Sequence, residues 1–325
     1  MASRFGGAPE LPPAVLIMGP TAAGKTAAAF SLFDQLPVDL ISVDSAQVYR
    51  GLDIGSAKPD AQTLRRYPHE LIDVRDPEST YSAALFVADA ENAMQRASAA
   101  GRMPVLVGGT VLYFRALLFG LDRLPPADPA VRSGIAERAA RRGWAALHDE
   151  LAGRDPATAA RLHPSDAQRI GRALEVLELT GRGLSDHHRG SRQARFPSLR
   201  VVMTPADRSV LHGRIARRVD AMLAAGLVGE VERLRERPAL GRDHAAMKSV
   251  GYRQAWEAIE RGENTQVLRE RIVAATRQLA KRQLTGLRKF PGTLWYDSAR
   301  ANAAGSVVRR VAGFCRQNGG RGSSG

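Results

Sequence analysis

The sequence of 325 residues predicts an α/β fold: a parallel sheet core with helices on both faces and a helical insertion domain. Three observations predict it. Short apolar runs bounded by Gly or Pro alternate with helical periodicity before Leu121, the stretch from about Pro125 to Arg195 carries helical periodicity alone, and an apolar run at Arg200–Thr204 then rejoins the sheet. Residues 1–122 and 199–325 are therefore assigned to the core and residues 123–198 to the insertion.

The elements follow in order. The Gly/Pro-rich start, through Pro13, is expected to be loose, and Ala14–Met18 reads as the first buried strand. A helix from about Gly24 to Leu36 comes next, then a strand at Leu40–Val43 that stops at Asp44, and a weaker strand at Glu70–Val74. A helix from about Ser82 to Ala100 precedes the strand Pro104–Val107, which ends at Gly108-Gly109 before a helix beginning near Thr110. In the insertion, helical periodicity covers Val131–Arg142, Ala145–Leu151 and Ala167–Leu179, where Ile170, Leu174 and Leu177 share one stripe and Thr180-Gly181 gives the stop. Arg182–Arg195 is polar and basic, hence a loop. Helices at about Arg208–Ala225 and Gln266–Lys289, a short strand at Leu294–Tyr296 and a last helix complete the core.

Gly19-Pro20-Thr21-Ala22-Ala23-Gly24-Lys25-Thr26 matches G-x-x-x-x-G-K-[ST] without a mismatch, between a strand and a helix. This makes the core a phosphate-loop-type parallel sheet. Backbone N–H groups and a helix N-terminus converge there on phosphate oxygens, Lys25 adds a point charge, and the Thr26 hydroxyl can ligate Mg²⁺. The motif specifies a pyrophosphate-bearing ligand without specifying a nucleotide. Asp44 ends the second strand at the carboxyl edge of the sheet, where ligands bind in open α/β folds. It can orient metal-bound water, accept a proton from a substrate, or simply cap the turn Ser45-Ala46-Gln47. No carboxylate ends the strand before Gly108, which weakens an ATPase reading.

Charge points to a second ligand. The chain has 47 Lys+Arg against 33 Asp+Glu, yet residues 1–130 hold 11 and 14 of these while residues 131–325 hold 36 and 19. A surplus of this size favours a polyanion, because each neutralised phosphate releases counterions. Basic residues recur at helical spacing at Arg214, Arg217 and Arg218, at Arg169 and Arg172 beside Gln168, and at Arg277, Lys281 and Arg288. Each stripe alone could be a solvated face.

Other classes are excluded. A single Cys315 rules out an intramolecular disulfide framework and a Cys-based zinc site, and His187-His188 has no ligand-spaced partner. The apolar run Ala14–Met18 is far too short for a bilayer span, so a soluble, cytoplasmic protein with no membrane partner is expected. Two readings of the loop compete with one another from composition alone. A phosphate-loop small-molecule kinase explains the loop but not the basic half, and an RNA-binding protein without chemistry explains the charge but leaves Asp44 and Thr110 without a task.

Six ordered strings, GPTAAGKT at Gly19–Thr26, DSAQVYRGLDIGSAKP at Asp44–Pro59, GGTVLYFRALL at Gly108–Leu118, HPSDAQRIGRALEV at His163–Val176, VGYRQ at Val250–Gln254 and ATRQLAKRQLT at Ala275–Thr285, carry a resemblance. Over nearly its whole length the chain resembles the bacterial tRNA dimethylallyltransferase family. That resemblance implies transfer of a dimethylallyl group from dimethylallyl diphosphate to N6 of the adenosine 3′ to the anticodon, in tRNAs reading codons that begin with U. It implies Asp44 as the base, Thr110 and Arg218 beside the departing pyrophosphate, and Gly19, Thr21, Ala22, Ala23, Gly24, Lys25 and Thr26 around it with Mg²⁺. It also implies contacts to the tRNA anticodon stem-loop from Asp44, Ser45, Ala46 and Gln47, from Arg132, Gln168, Arg169 and Arg172, from Lys248, Gly251, Tyr252 and Arg253, and from Lys281, Arg282, Gln283 and Arg288. A monomer is expected. Gly286 departs from the Trp of many members, and Lys248-Ser249 from their Arg-Cys.

Overall fold

The computed structural model describes residues 10–122, 124–187 and 193–318. The chain divides into two compact units: one runs to Leu118 and resumes at Ala194, and the other spans Phe119–Gln193.

The first unit is built on a six-stranded sheet of order β3-β2-β4-β1-β5-β6, parallel throughout. Its first half runs β1 (Ala14–Met18), α1 (Lys25–Gln35), β2 (Val38–Val43), α2 (Ala61–Arg66), β3 (His69–Glu70), α3 (Ala83–Ala99), β4 (Met103–Gly108) and α4 (Val111–Phe119). The inner strands are buried on both faces, which is why they read as unbroken apolar runs rather than as alternating ones. Register aligns Met18 with Gly108 and Gly108 with Val43, so the residues that follow these strands, Gly19, Gly109 and Asp44, emerge at one carboxyl edge.

The expected strand at Glu70–Val74 shrinks to His69–Glu70. Leu71 and Asp73 adopt φ of 66° and 55°, which no ladder accommodates, and the Asp73 carboxylate instead accepts from Lys58 Nζ at 2.5 Å. Leu11 is buried although the start of the chain reads as loose.

In the second unit, α5 (Pro129–Arg154), α6 (Pro156–Ala159), α7 (Ala167–Thr180) and α8 (Leu184–His187) bury Ile135, Leu147 and Leu151 against the Ile170, Leu174 and Leu177 stripe. The two helices expected on either side of Gly143 are present within the span of α5, separated by a kink where Gly143 takes φ 79°. Gly181, at φ 68°, caps α7 where the stop signal falls. Leu184–His187 forms one helical turn inside the expected loop, whose residues 188–192 lie outside the described residues.

The chain returns to the first unit through β5 (Ser198–Thr204), α9 (Arg208–Ala224), α10 (Leu227–Arg235), α11 (Tyr252–Arg261), α12 (Thr265–Leu287), β6 (Leu294–Asp297) and α13 (Ala303–Asn318). Helix α13 packs Val307, Val308 and Val311 with Ala28, Ala29 and Leu32 of α1 on one face of the sheet. On α9 and α12, Leu211, Ile215 and Ala280 form a small cluster that includes Ala22 of the phosphate loop. Helices α10 and α11 are absent from the sequence reading, though Leu227, Val231 and Leu234 keep helical spacing and Gly262 gives a stop. Among the described residues no helix is long and apolar enough to cross a membrane.

Candidate active site

The phosphate loop wraps as its sequence requires. Gly24, at φ 87°, occupies a left-handed position that favours glycine, and it sets the amide of Lys25 at the N-terminus of α1. Ala22 also takes positive φ, at 61°, a conformation that costs an L residue about 1 kcal/mol or more and is held here by the surrounding turn. Lys25 Nζ donates to Pro20 O at 2.7 Å. Burial, then the neighbouring Arg218 guanidinium, lowers the Lys25 pKa to about 8, with Asp44 opposing the shift.

Arg218 reaches the loop from α9 and donates from Nη1 to Thr21 Oγ1 at 3.0 Å. Burial lowers its pKa from the usual arginine value, and the Asp44 carboxylate works against that. Arg214 donates to the hydroxyl and carbonyl of Ser298, at 3.2 and 3.1 Å. Arg214 and Arg218 thus turn inward and only Arg217 of this stripe stays exposed, whereas the sequence spacing suited a polynucleotide face.

Asp44 performs the capping role that its sequence position allowed. Its Oδ1 accepts from the amides of Ala46 and Gln47, at 2.8 and 3.3 Å, which orients the carboxylate and leaves the second oxygen outside that turn. Thr110 stands beside it: its hydroxyl accepts from Ser45 N at 3.2 Å, and its amide donates to Val43 O.

These groups border two connected cavities in the first unit. The smaller, about 80 Å³, is lined by Lys25, Thr26 and His69, and the larger, about 520 Å³, by Thr110, Tyr49, Tyr81 and Tyr113. Thr21, Asp44, Ser56, Gly109, Arg218 and Gln283 border both. The small chamber is polar and cationic. The large one adds Val219, Met222, Ile272 and Leu279, an apolar and aromatic wall. Sequence reasoning missed this wall, because Tyr113 and Tyr81 look like ordinary core residues along the chain. Tyr113 donates to Tyr81 O at 3.2 Å and stacks on Phe86, while burial raises its pKa. His69, unnoticed in the sequence, has Nδ1 2.7 Å from Tyr67 O, and burial lowers its pKa.

Several residues expected to meet RNA are engaged elsewhere. Gln47 accepts from Ser42 and donates to the carbonyls of Ser56 and Ala57, so its amide is used within the fold. Tyr252 is fully buried and donates to Glu230 at 2.6 Å; Glu230, itself buried, also accepts from the amides of Asp53, Ile54 and Gly55. Gln283 bonds the Thr21 amide and the Gly109 carbonyl. By contrast Lys248, Arg253, Lys281, Arg282 and Arg288 are exposed, with Lys248 and Arg282 at the large cavity.

Arg132 and Arg172 both bind the buried carboxylate of Glu175, at 2.8 and 2.6 Å, and Arg172 also donates to Pro125 O. Arg169 is exposed and pairs with Asp166 at 3.3 Å, beside the exposed Gln168. The three residues of this edge of α7 are therefore unequal, since Arg172 is tied down by the one acid on the buried face. Among the described residues no cluster of three His, Cys, Asp or Glu could hold a metal on its own.

A phosphate loop at the carboxyl edge of a parallel sheet, opening into a cationic chamber, defines a phosphate-loop protein. A family described as IPP transferase matches residues 47–290, and the chain belongs to that family. It is 58% identical over 288 residues to the tRNA dimethylallyltransferase of Thiobacillus denitrificans, covering 88% of this chain and 92% of that one, and 55% identical over 295 residues to the enzyme of the same name from Alkalilimnicola ehrlichii, covering 90% and 93%. The crystal structure of the full-length tRNA isopentenylpyrophosphate transferase of Bacillus halodurans aligns with a TM-score of 0.70 at 33% identity, over 94% of this chain and 97% of that one. The small-molecule kinase reading is not favoured by these relatives.

Proposed function

We propose that the protein transfers the dimethylallyl group of dimethylallyl diphosphate to N6 of the adenosine 3′ to the tRNA anticodon, giving N6-isopentenyladenosine and diphosphate. The observation that carries this reading is the junction of the two chambers at Asp44 and Arg218. Diphosphate in the small chamber would leave its allyl C1 at the junction, and the adenine would enter the large one. Extruding that base costs a few kcal/mol, offset by contacts to the RNA backbone.

In the reaction the N6 lone pair forms a bond to C1 as the C1–O bond breaks, and the bonding pair leaves with diphosphate. The N6 lone pair is delocalised into the purine, so the amine is a weak nucleophile. Asp44 takes the proton that N6 loses, the turn amides on Oδ1 keeping its carboxylate aimed. Lys25 and Arg218 stabilise the charge that develops on the leaving group, in a chamber where burial strengthens each interaction, and Thr110 adds its hydroxyl from the large chamber.

Mg²⁺ fits the residues present. The Thr26 hydroxyl and the Asp44 carboxylate line one chamber, and this ion ordinarily takes one or two protein oxygens, the rest coming from substrate phosphate and water. When bound it would supply charge neutralisation on the diphosphate.

Basic surface supports the RNA half of the proposal. Lys248, Arg253, Lys281, Arg282 and Arg288 are exposed, as are Gln168 and Arg169 of the insertion, and they are proposed to hold the anticodon arm. The test is to incubate the protein with unmodified tRNA and either allyl-labelled dimethylallyl diphosphate or terminally labelled ATP. Label should reach tRNA from the first and not from ATP; transfer from ATP instead would overturn the reading.

A further inference from the structure

We propose that Gln283 is a positioning residue of the diphosphate site, an amide strut that ties the phosphate loop to the end of β4 at the junction between the two chambers. The inference deepens the transfer reaction proposed above and rests on it. The sequence resemblance groups Gln283 with RNA contacts, because it shares a turn of α12 with Lys281 and Arg282, both exposed. Its side chain turns the other way. Oε1 accepts from the Thr21 amide at 3.0 Å, and Nε2 donates to the Gly109 carbonyl at 2.9 Å.

The two partners fix the orientation of the amide. An N–H can face only Oε1 and a carbonyl only Nε2, so a flipped side chain would lose both bonds. Each partner leads to another group at the site: the Thr21 hydroxyl accepts from Arg218, and Gly109 precedes Thr110. A Cβ on Gly109 would lie 2.5 Å from Nε2, so glycine there leaves the room the strut occupies. One side chain thereby sets the spacing of Thr21, Arg218 and Thr110 around the place where the C1–O bond breaks. It borders both chambers, as a partition residue must.

The experiment compares Gln283→Leu, which removes both bonds, with Gln283→Glu, which keeps an acceptor for Thr21 but sets a carboxylate oxygen against the Gly109 carbonyl. Three quantities are read: inorganic pyrophosphate affinity by calorimetry, tRNA affinity against salt concentration, and hydrogen exchange over residues 19–25 in the ligand-free protein. Gln283→Glu should bind pyrophosphate about tenfold more weakly and Gln283→Leu about a hundredfold, since each lost hydrogen bond is worth on the order of the free energy of a tenfold change. KM for dimethylallyl diphosphate should rise in parallel and kcat should fall, whereas tRNA affinity and its salt slope should stay within about twofold. Exchange over residues 19–25 should quicken in Gln283→Leu, which frees the Thr21 amide, and less in Gln283→Glu, which keeps its acceptor.

Weakened tRNA binding with unchanged pyrophosphate affinity would overturn the strut and make Gln283 an RNA contact. Loss of both affinities together with a lowered melting temperature in both variants would make it a packing residue, which also overturns the proposal. Failure of the transfer reaction itself shows in the wild-type protein, as absence of pyrophosphate binding or of label transfer. Hydrogen exchange needs no substrate, so unchanged exchange in Gln283→Leu sinks the strut whatever reaction the protein performs.

Discussion

The Arg218 guanidinium and the Thr21 hydroxyl meet at 3.0 Å although 197 residues separate them in the chain. The contact carries a cation from α9 into the phosphate loop. Arg218→Ala should therefore weaken pyrophosphate and slow transfer, with the salt slope of tRNA affinity unchanged, since the guanidinium faces the loop rather than solvent. A slope flattened by about one unit would make it a backbone contact instead.

Asp44 has two roles that two substitutions separate. Asp44→Asn keeps an acceptor for the amides of Ala46 and Gln47, while Asp44→Ala removes it. Both should lose transfer by about a hundredfold or more and keep tRNA binding, because removing a base acts on the transition state. Near wild-type turnover in Asp44→Asn would leave only the cap.

Lys25 makes two pH dependences of opposite sign. With its folded pKa lowered to about 8, below the unfolded lysine value, the unfolded chain holds more protons between the two, so this residue's contribution to stability rises with pH through that window. Pyrophosphate affinity runs the other way: above pH of about 8 the free protein loses the Lys25 charge, binding must take up a proton, and the log of affinity should fall with a slope approaching −1. Calorimetry in two buffers of different ionisation enthalpy measures that proton. Lys25→Met should abolish the slope.

Within the insertion, Arg169 and Arg172 should behave differently. Burial raises the Glu175 pKa, but hydrogen bonds from Arg132, Arg172 and the Asp128 amide outweigh it and hold the carboxyl below its usual value. Arg172→Ala leaves a buried carboxylate short of a partner and should cost about 1–3 kcal/mol in chemical denaturation. Arg169→Ala, on the exposed side, should stay within about 0.5 kcal/mol and raise KM for tRNA. Equal stability losses would refute the distinction. The Glu175 contribution should fade as pH drops through its lowered folded value.

Gly286, which departs from the Trp that the family resemblance implies there, fits against α4. A Cβ there would lie 2.7 Å from Val111 Cγ1, so Gly286→Trp should lower the melting temperature, by an overpacking cost of about 1–3 kcal/mol. Adding Val111→Ala should recover part of the loss. An unaffected melting temperature in the single variant would mean that α12 shifts freely.

Local rules made much of the protein legible. Apolar runs bounded by Gly and Pro mark β1, β2 and β4 because both faces of these strands are buried, and G-x-x-x-x-G-K-T states its own backbone and charge requirements. The same periodicity marks α7, whose stripe of Ile170, Leu174 and Leu177 is buried as spaced. Short elements stayed hidden where the determining fact was nonlocal: His69–Glu70 is a strand only because β2 lies beside it, and α10 carries Glu230 on its buried side only because three amides of residues 53–55 and Tyr252 satisfy it. Sequence spacing put Arg218 on a basic stripe, whereas the family resemblance implied a place beside the pyrophosphate for Arg218 and among the RNA contacts for Gln283. Only the packing of α9 and α12 over the phosphate loop decided that both face inward, because a side chain's partner is set by what the fold brings within about 3 Å of it and not by its neighbours along the chain.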